Sequence, residues 1–268
     1  MRSLLSRGTT ILAAALALAV ALAGPAAAAE TLKVGVTAGP HAEIMEVVKK
    51  VAAAQDGLDL RIVEFSDYIQ PNAALAIGDL DANSYQHQPF LDRQVKDRGY
   101  KIVSVAKTVV FPMGIYSKKV KTLAELPNGA RVGIPNDPTN GARALLLLQT
   151  GGLLKLDSKA GTSVSVPDVT ENPKKLRIVE LDAAQLPRSL DDLDASAVNT
   201  NYAMTAGLQP TKDAILIEDP ESPYTNVLAV QEKDKDAPWV AKLVKAYHSP
   251  EVKQFVLEHF KNAVVASW

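Results

Sequence analysis

The 268-residue sequence contains no cysteine. This absence excludes disulfide bonds, thiolate metal sites and cysteine nucleophiles from the printed chain. A surplus of one charge is also lacking, since 29 Lys and Arg face 30 Asp and Glu and the formal net charge is -1. Non-specific nucleic-acid binding depends on a basic surplus, so we expect no nucleic-acid partner.

Sequence motifs of catalysis are lacking as well. The chain has four His, and none has metal-ligand spacing to another His, Asp or Glu. Neither a phosphate-binding loop, nor a dinucleotide-binding glycine motif, nor the glycine-flanked serine of hydrolases occurs. We therefore predict no catalytic residue, no metal, no cofactor and no enzymatic activity.

One long apolar run stands near the start of the chain, and no later run could span a bilayer. Arg2 and Arg7 precede the apolar run at 11–22, and three alanines follow it at 27–29. The run is shorter than the roughly 20 residues that a spanning helix needs. A basic start, an apolar middle and a small-residue cleavage site predict a signal peptide at 1–29.

Beyond the signal, short β-rich runs alternate with helical patterns, which is typical of an α/β fold with mainly parallel sheets. We predict strands at 32–36, 58–65, 81–85, 102–110, 113–117, 130–134, 178–181, 195–199 and 227–231. We predict helices at 40–54, from 89 onward, 141–150, 239–248 and 250–260, a turn followed by a helix at 67–78, and a long surface loop at 155–175.

The order of these elements predicts two α/β lobes joined by two crossings, with a ligand cleft between the lobes. The crossings are expected near 107–117 and 226–231. The first lobe then comprises 30–113 together with 228–268, and the second comprises 114–227.

Arg143 is a candidate for binding an anion. It lies in the first turn of the helix that follows the strand at 130–134, where ligands of α/β sheets bind and where a helix attracts negative charge. A cation is unfavourable at the positive end of its own helix unless an anion compensates it. The residues alone leave open a surface arginine paired with a nearby carboxylate.

Other polar and aromatic residues also follow predicted strands. Asn199 combines donors and an acceptor, as an amino-acid head group requires, although a helix cap is an equal alternative. The stretch SPYTN at 222–226 precedes the return crossing, and its alternative is a plain turn. Tyr68 and Tyr85 stand out in a chain with 5% aromatics. They could wall a pocket for an apolar or thioether group, or belong to the core.

Several stretches together resemble the MetQ/NlpA family of methionine-binding proteins. They are DYIQPN at 67–72, GDLDANSYQH at 78–87, PNDPTNGAR at 135–143, AQLPRSL at 184–190, VNTNYA at 198–203 and SPYTN at 222–226. Their order and spacing hold from about residue 31 to Trp268.

The resemblance implies a type II periplasmic-binding-protein fold that closes on one free amino acid. It also implies an ABC transporter, with a separate permease and its ATPase, as the partner of a monomeric protein. Arg143 would hold the ligand carboxylate. The implied head-group contacts are Asn199, Asn226 and Asn140, and the implied contacts of the thioether are Tyr68, Tyr85 and His87.

The expected ligand is methionine, in its L- or D-form. A methionine-containing dipeptide or another apolar amino acid is the close alternative, because small differences in an apolar pocket discriminate weakly. An extracytoplasmic hydrolase of small amides is the alternative from another class. Position 85 is Tyr where the family often has Phe, so its hydroxyl could bond the ligand or a water.

The resemblance also bears on localisation. Most family members are lipoproteins with a cysteine at the cleavage point, and this sequence has none. We therefore expect a soluble periplasmic protein, cleaved near Ala29 and without a lipid anchor.

Overall fold

The computed structural model describes residues 31–268, so the predicted signal peptide at 1–29 lies outside the described residues. Residues 31–268 form one compact unit. No helix within that range is long and apolar enough to cross a membrane.

The described residues contain thirteen strands. In chain order they are β1 (Thr31–Thr37), β2 (Asp59–Phe65), β3 (Ala82–His87), β4 (Ile102–Val110), β5 (Gly114–Tyr116), β6 (Arg131–Pro135), β7 (Lys155–Leu156), β8 (Val169–Glu171), β9 (Arg177–Leu181), β10 (Ala195–Val198), β11 (Ala214–Ile217), β12 (Thr225–Gln231) and β13 (Val265–Ala266).

Nine α-helices connect these strands. They are α1 (Pro40–Asp56), α2 (Gln70–Ile77), α3 (Gln88–Arg98), α4 (Pro138–Thr150), α5 (Leu186–Ser189), α6 (Thr200–Thr205), α7 (Pro210–Asp213), α8 (Pro238–Tyr247) and α9 (Pro250–Phe260). All except α6 carry proline at the first or second helical position. Proline fits there because its fixed φ suits a helix and its missing N–H has no partner at a helix start.

The first sheet has six strands in the order β13-β4-β12-β3-β1-β2. Strands β3, β1 and β2 run parallel, whereas β12 is antiparallel to both of its neighbours, β3 and β4. Its apolar side chains form two clusters, one with α1, α8 and α9 and one with α2 and α3. The sheet is therefore covered by helices and buried, as parallel strands require.

The second sheet has five strands in the order β11-β5-β10-β6-β9. Strands β10, β6 and β9 run parallel, and β5 is antiparallel to β10 and β11. Helix α4 packs its Leu145 and Leu148 against Val132 and Ile134 of β6 in one buried cluster. This packing fixes the start of α4 at the carboxyl end of β6.

The structure is a two-lobed α/β fold, and the predicted fold class is confirmed. The chain passes from the first sheet to the second at 111–113 and returns at 218–224. The return crossing was expected at 226–231, but those residues belong to β12, an almost wholly buried strand inside the first sheet. The lobe boundaries inferred from the sequence, 30–113 with 228–268 and 114–227, stay a prediction.

The sequence patterns missed the shortest elements. Strands β11 and β13 and helices α5 and α7 have four residues or fewer. The expected loop at 155–175 carries the antiparallel pair β7 and β8. Periodicity cannot identify elements of this length, because they span about one turn of a helix or two repeats of a strand.

We predict that Leu228→Ala lowers the free energy of unfolding by about 2–5 kcal/mol, as expected for a large apolar side chain removed from a core. Leu228 lies in β12 and is fully buried. Leu257→Ala is the matched control, because that side chain on α9 is 63% exposed. Chemical denaturation measures both, and equal losses in the two variants would contradict the assignment of β12 to the core.

Candidate functional site

The carboxyl ends of β3, β6 and β10 meet in a cavity between the two sheets. The cavity has about 340 Å³ of empty space, counting the part open to solvent. All seven predicted site residues line it: Tyr68, Tyr85, His87, Asn140, Arg143, Asn199 and Asn226. Their roles as ligand contacts stay a prediction.

The start of α4 is built to bring a polar side chain to the cavity. Asp137 caps the helix by accepting a hydrogen bond from the backbone N–H of Asn140 at 2.9 Å. A Cβ atom at Gly141 would lie 2.8 Å from the carbonyl oxygen of Pro135, so only glycine lets the helix approach the end of β6 this closely. The first turn therefore faces the cavity with Asn140 and Arg143.

Arg143 is buried, with 2% of its surface exposed. Its Nε donates to Glu218 Oε1 at 3.1 Å, and its Nη2 donates to Glu218 Oε2 and, at 2.8 Å, to the carbonyl oxygen of Phe111. The guanidinium carbon lies 4.3 Å from the ring centroid of Tyr224. The alternative of an arginine paired with a carboxylate is therefore correct about the partner. The pair is buried, however, and does not lie at the surface.

This pairing leaves one guanidinium nitrogen free for a ligand. No hydrogen bond from Nη1 of Arg143 to any residue in the range 31–268 is found. An anionic group in the cavity can therefore reach Nη1, while Glu218 holds the opposite edge of the fork. The arginine would share its charge between the protein and the ligand.

A chain of amide groups crosses the cavity wall. Asn140 donates from Nδ2 to Asp137 Oδ2 at 2.9 Å, which leaves Asn140 Oδ1 as an acceptor. That oxygen accepts from Asn199 Nδ2 at 2.8 Å and lies 3.1 Å from His87 Nε2. Asn199 Oδ1 is buried and has no partner within the described residues. The chain ends in an unused acceptor on the cavity wall.

The two histidines of the cavity are neutral. His87 Nδ1 accepts from the backbone N–H of Phe90 at 3.1 Å, so the ring proton is on Nε2, where it donates to Asn140. Burial lowers the pKa of His87 to about 3, and the charge of Arg143 acts in the same direction. Burial likewise lowers the pKa of His41 to about 3. Neither adds positive charge to the cavity near neutral pH.

Hydrogen bonds between the lobes show that the cleft is closed in this structure. Tyr68, which follows β2, donates from its hydroxyl to Asn201 Oδ1 on α6 at 2.6 Å. Tyr202 donates to the carbonyl oxygen of Ser66 at 3.2 Å. Asn201 Nδ2 is buried and has no partner within 31–268. The bond from Tyr68 therefore orients an unused donor beside the cavity.

Aromatic rings form the apolar wall. The Tyr68 ring centroid lies 4.9 Å from that of Tyr202, 6.0 Å from Phe90 and 6.1 Å from Tyr85. Tyr85 donates its hydroxyl to the carbonyl oxygen of Tyr68 at 3.0 Å. The hydroxyl that was expected to contact a ligand or a water is thus bonded to the protein, and the ring face remains for apolar contact.

The residues that sequence reasoning missed fall into two kinds. His41, Phe90, Phe111 and Asn201 also line the cavity, and Asn201 lies two positions from the predicted Asn199 in the same motif. Glu218 had no sequence signal, because nothing local shows that it meets a residue 75 positions earlier.

The cavity offers donors and an acceptor around one end and aromatic rings around the other. The donors are Arg143 Nη1 and Asn201 Nδ2, and the acceptor is Asn199 Oδ1. This set complements a small molecule that carries an anionic group, a cationic group and an apolar side chain. Within residues 31–268, no cluster of His, Asp and Glu could hold a metal ion.

Comparison with known proteins identifies relatives over nearly the whole described range. The family model described as NlpA lipoprotein matches residues 32–268. The D-methionine-binding lipoprotein MetQ of Escherichia coli strain K12 is 52% identical over 239 residues, which is 88% of each chain. Outer membrane lipoprotein 3 of Mannheimia haemolytica is 49% identical and covers 90% of this chain and 91% of its own.

Two solved structures of methionine-binding proteins are also similar to this chain. A nutrient-binding protein from Burkholderia cenocepacia, bound to methionine, is 60% identical with a TM-score of 0.87, over 88% of this chain and 100% of that one. A methionine-binding protein, MetQ, is 51% identical with a TM-score of 0.87, over 89% of this chain and 98% of that one.

The prediction of a soluble periplasmic protein without a lipid anchor is wrong. The matching family is described as a lipoprotein family, and relatives about half identical to this chain are named lipoproteins. The prediction depended on the absence of cysteine, which remains a fact of the printed sequence. A basic start followed by an apolar run indicates export. This pattern does not determine whether the exported protein is anchored to a membrane.

We predict that the protein loses stability as the pH falls from 7 to 5. The unfolded chain binds protons at His41 and His87 below about pH 6.5, whereas the folded chain does so only near pH 3. Each histidine then lowers the free energy of unfolding by about 2 kcal/mol at pH 5. Urea denaturation at both pH values measures the loss.

His41→Leu tests this assignment, because it removes one buried titrating ring. In this variant the free energy of unfolding should decrease less between pH 7 and pH 5, because only His87 still contributes. The part of the decrease that the two histidines cause should be about halved. His259→Gln is the control, since that side chain is 51% exposed. An unchanged fall in His41→Leu would contradict the assignment.

Proposed function

Because the chain belongs to the NlpA lipoprotein family, we propose that it is the substrate-binding protein of an ABC importer and that its ligand is methionine. The observation that carries the proposal is the closed cavity, with free polar atoms at one end and aromatic rings at the other. The likeness to a methionine-bound structure at 60% identity supports the same ligand.

The free polar atoms suit the head group of an amino acid. The α-carboxylate takes Arg143 Nη1 and Asn201 Nδ2 as donors, and the α-ammonium donates to Asn199 Oδ1. Asn226, which is 4% exposed and lines the same cavity, supplies a further amide. A zwitterion brings one charge of each sign, so the free donors and the free acceptor at the polar end of the cavity are satisfied at once.

The aromatic wall suits the thioether. Sulfur beside ring edges is favourable, and the rings of Tyr68, Tyr85 and Phe90 lie within about 6 Å of one another at this side of the cavity. His87 is neutral here and bonded to Asn140, so it adds a ring surface without a charge.

Delivery completes the proposed role. The protein is exported by its leader at 1–29 and carries one ligand, as a monomer, to a permease with its own ATPase. The bonds between the lobes suit a closed, loaded state, which the permease would open. Relatives of this chain are named as binding proteins. We therefore propose that methionine leaves the protein unchanged.

Native mass spectrometry of freshly purified protein, followed by calorimetry with amino acids, tests the proposal. We expect methionine to bind with one molecule per chain and to be recovered intact. If the protein instead prefers a methionine-containing dipeptide or another apolar amino acid, that compound replaces methionine as the proposed ligand. Turnover of a small amide would overturn the binding role altogether.

We predict that Arg143→Ala weakens methionine binding by about 30-fold to several thousand-fold. Removing one partner of a buried, hydrogen-bonded charge pair costs about 2–5 kcal/mol, and about 1.4 kcal/mol corresponds to a factor of ten. Arg143→Lys should recover part of the loss, because an ammonium cannot hold Glu218 and the ligand as the planar fork does. Calorimetry measures both.

Arg93→Ala is the matched control, because that arginine is exposed on α3 and pairs with Asp97 at the surface. It should bind methionine as the wild type does. Arg143→Ala should also unfold more easily, since it leaves the largely buried Glu218 without its partner. Near-normal methionine affinity in folded Arg143→Ala would show that the carboxylate binds elsewhere.

A further inference from the structure

Glu218 is the partner that positions Arg143, and it lies outside the cavity lining. Its side chain is 12% exposed and its carboxylate binds the Nε and Nη2 edge of the guanidinium. The same carboxylate accepts from the backbone N–H of Met113 at 3.2 Å, and the N–H of Glu218 donates to Met113 oxygen at 2.9 Å. Glu218 therefore connects both crossings to the arginine.

The charge around the cavity depends on this pair and on the Asp137 carboxylate behind Asn140, which is the same for every ligand compared below. Among the lining residues, Arg143 alone is charged near neutral pH, because burial keeps His41 and His87 neutral. Glu218 places an opposite charge against it, so the pair has no net charge. A ligand that enters the closed cavity meets hydrogen-bonding groups and a compensated cation.

We propose that Glu218 is a specificity-determining residue, which makes the cavity select net-neutral zwitterions over monoanionic carboxylates of the same shape. The proposal rests on the proposed function, the binding of a free amino acid. It extends that function to a residue that does not touch the ligand and acts through Arg143.

The selection follows from charge balance in a closed site. A zwitterion leaves the group of Arg143, Glu218, carboxylate and ammonium with no net charge. A carboxylate that lacks the ammonium leaves one uncompensated negative charge, which is costly away from water. Without the charge of Glu218 the balance reverses, because the monoanion then neutralises Arg143 and the zwitterion leaves one positive charge.

The test compares two ligands in Glu218→Gln, which keeps the shape of the side chain and removes its charge. The ligands are methionine and 2-hydroxy-4-(methylthio)butanoate, in which a hydroxyl replaces the ammonium. We expect the ratio of their Kd values to shift by at least about tenfold toward the hydroxy acid, relative to wild type. Calorimetry at pH 7 measures both values.

Two variants separate charge from structure. Glu218→Asp keeps the charge and should keep the selectivity nearer to wild type, whereas Glu218→Ala should shift it as Glu218→Gln does. Glu221→Gln removes an exposed carboxylate from the same crossing and should leave the ratio unchanged.

Several outcomes would overturn the proposal. An unchanged ratio in folded Glu218→Gln would show that Glu218 does not set charge selectivity, even if wild-type protein binds methionine normally. An equal shift of the ratio in Glu221→Gln would show that losing any carboxylate from this crossing has the same effect, so that the contact of Glu218 with Arg143 is not the cause. Absence of methionine binding by the wild type would instead overturn the proposed function.

Discussion

The buried ion pair of Arg143 and Glu218 is the interaction on which the site depends. Arg143 is 2% exposed, and a guanidinium in such a place cannot stay charged without compensation. The compensating groups are the Glu218 carboxylate, the Phe111 carbonyl and the face of the Tyr224 ring. These three partners lie on the two crossings between the lobes. The cation of α4 therefore lies where both crossings meet the cavity.

This placement would link any ligand of Arg143 to the geometry of the lobes. Arg143 belongs to the helix of the second sheet, and its partners lie on the segments 111–113 and 218–224 that lead into and out of that sheet. A group that binds Nη1 adds an interaction to this junction only when Arg143 is held in its present position. Ligand and closed cleft then stabilise each other, as any two events with favourable coupling must.

Much of the fold and the site follows from local patterns. Prolines mark the helix starts, and the residues predicted from the ends of strands gather because the carboxyl ends of β3, β6 and β10 meet. What could not be predicted is long-range. Glu218 pairs with Arg143, which lies 75 positions earlier in the chain. Strand β12 was predicted as a crossing, and only its pairing with β3 and β4 shows that it lies inside the first sheet.

The polarity of the asparagine end of the cavity has a cause outside the cavity lining. Asp137 can only accept hydrogen bonds, so it forces Asn140 to donate and to present its oxygen to Asn199. Asn199 must then donate with its amide nitrogen, and its own oxygen remains as the free acceptor. An asparagine by itself could serve either charge of a ligand. A helix cap two residues outside the sheet thus determines that this end of the cavity accepts a donor, such as an ammonium group.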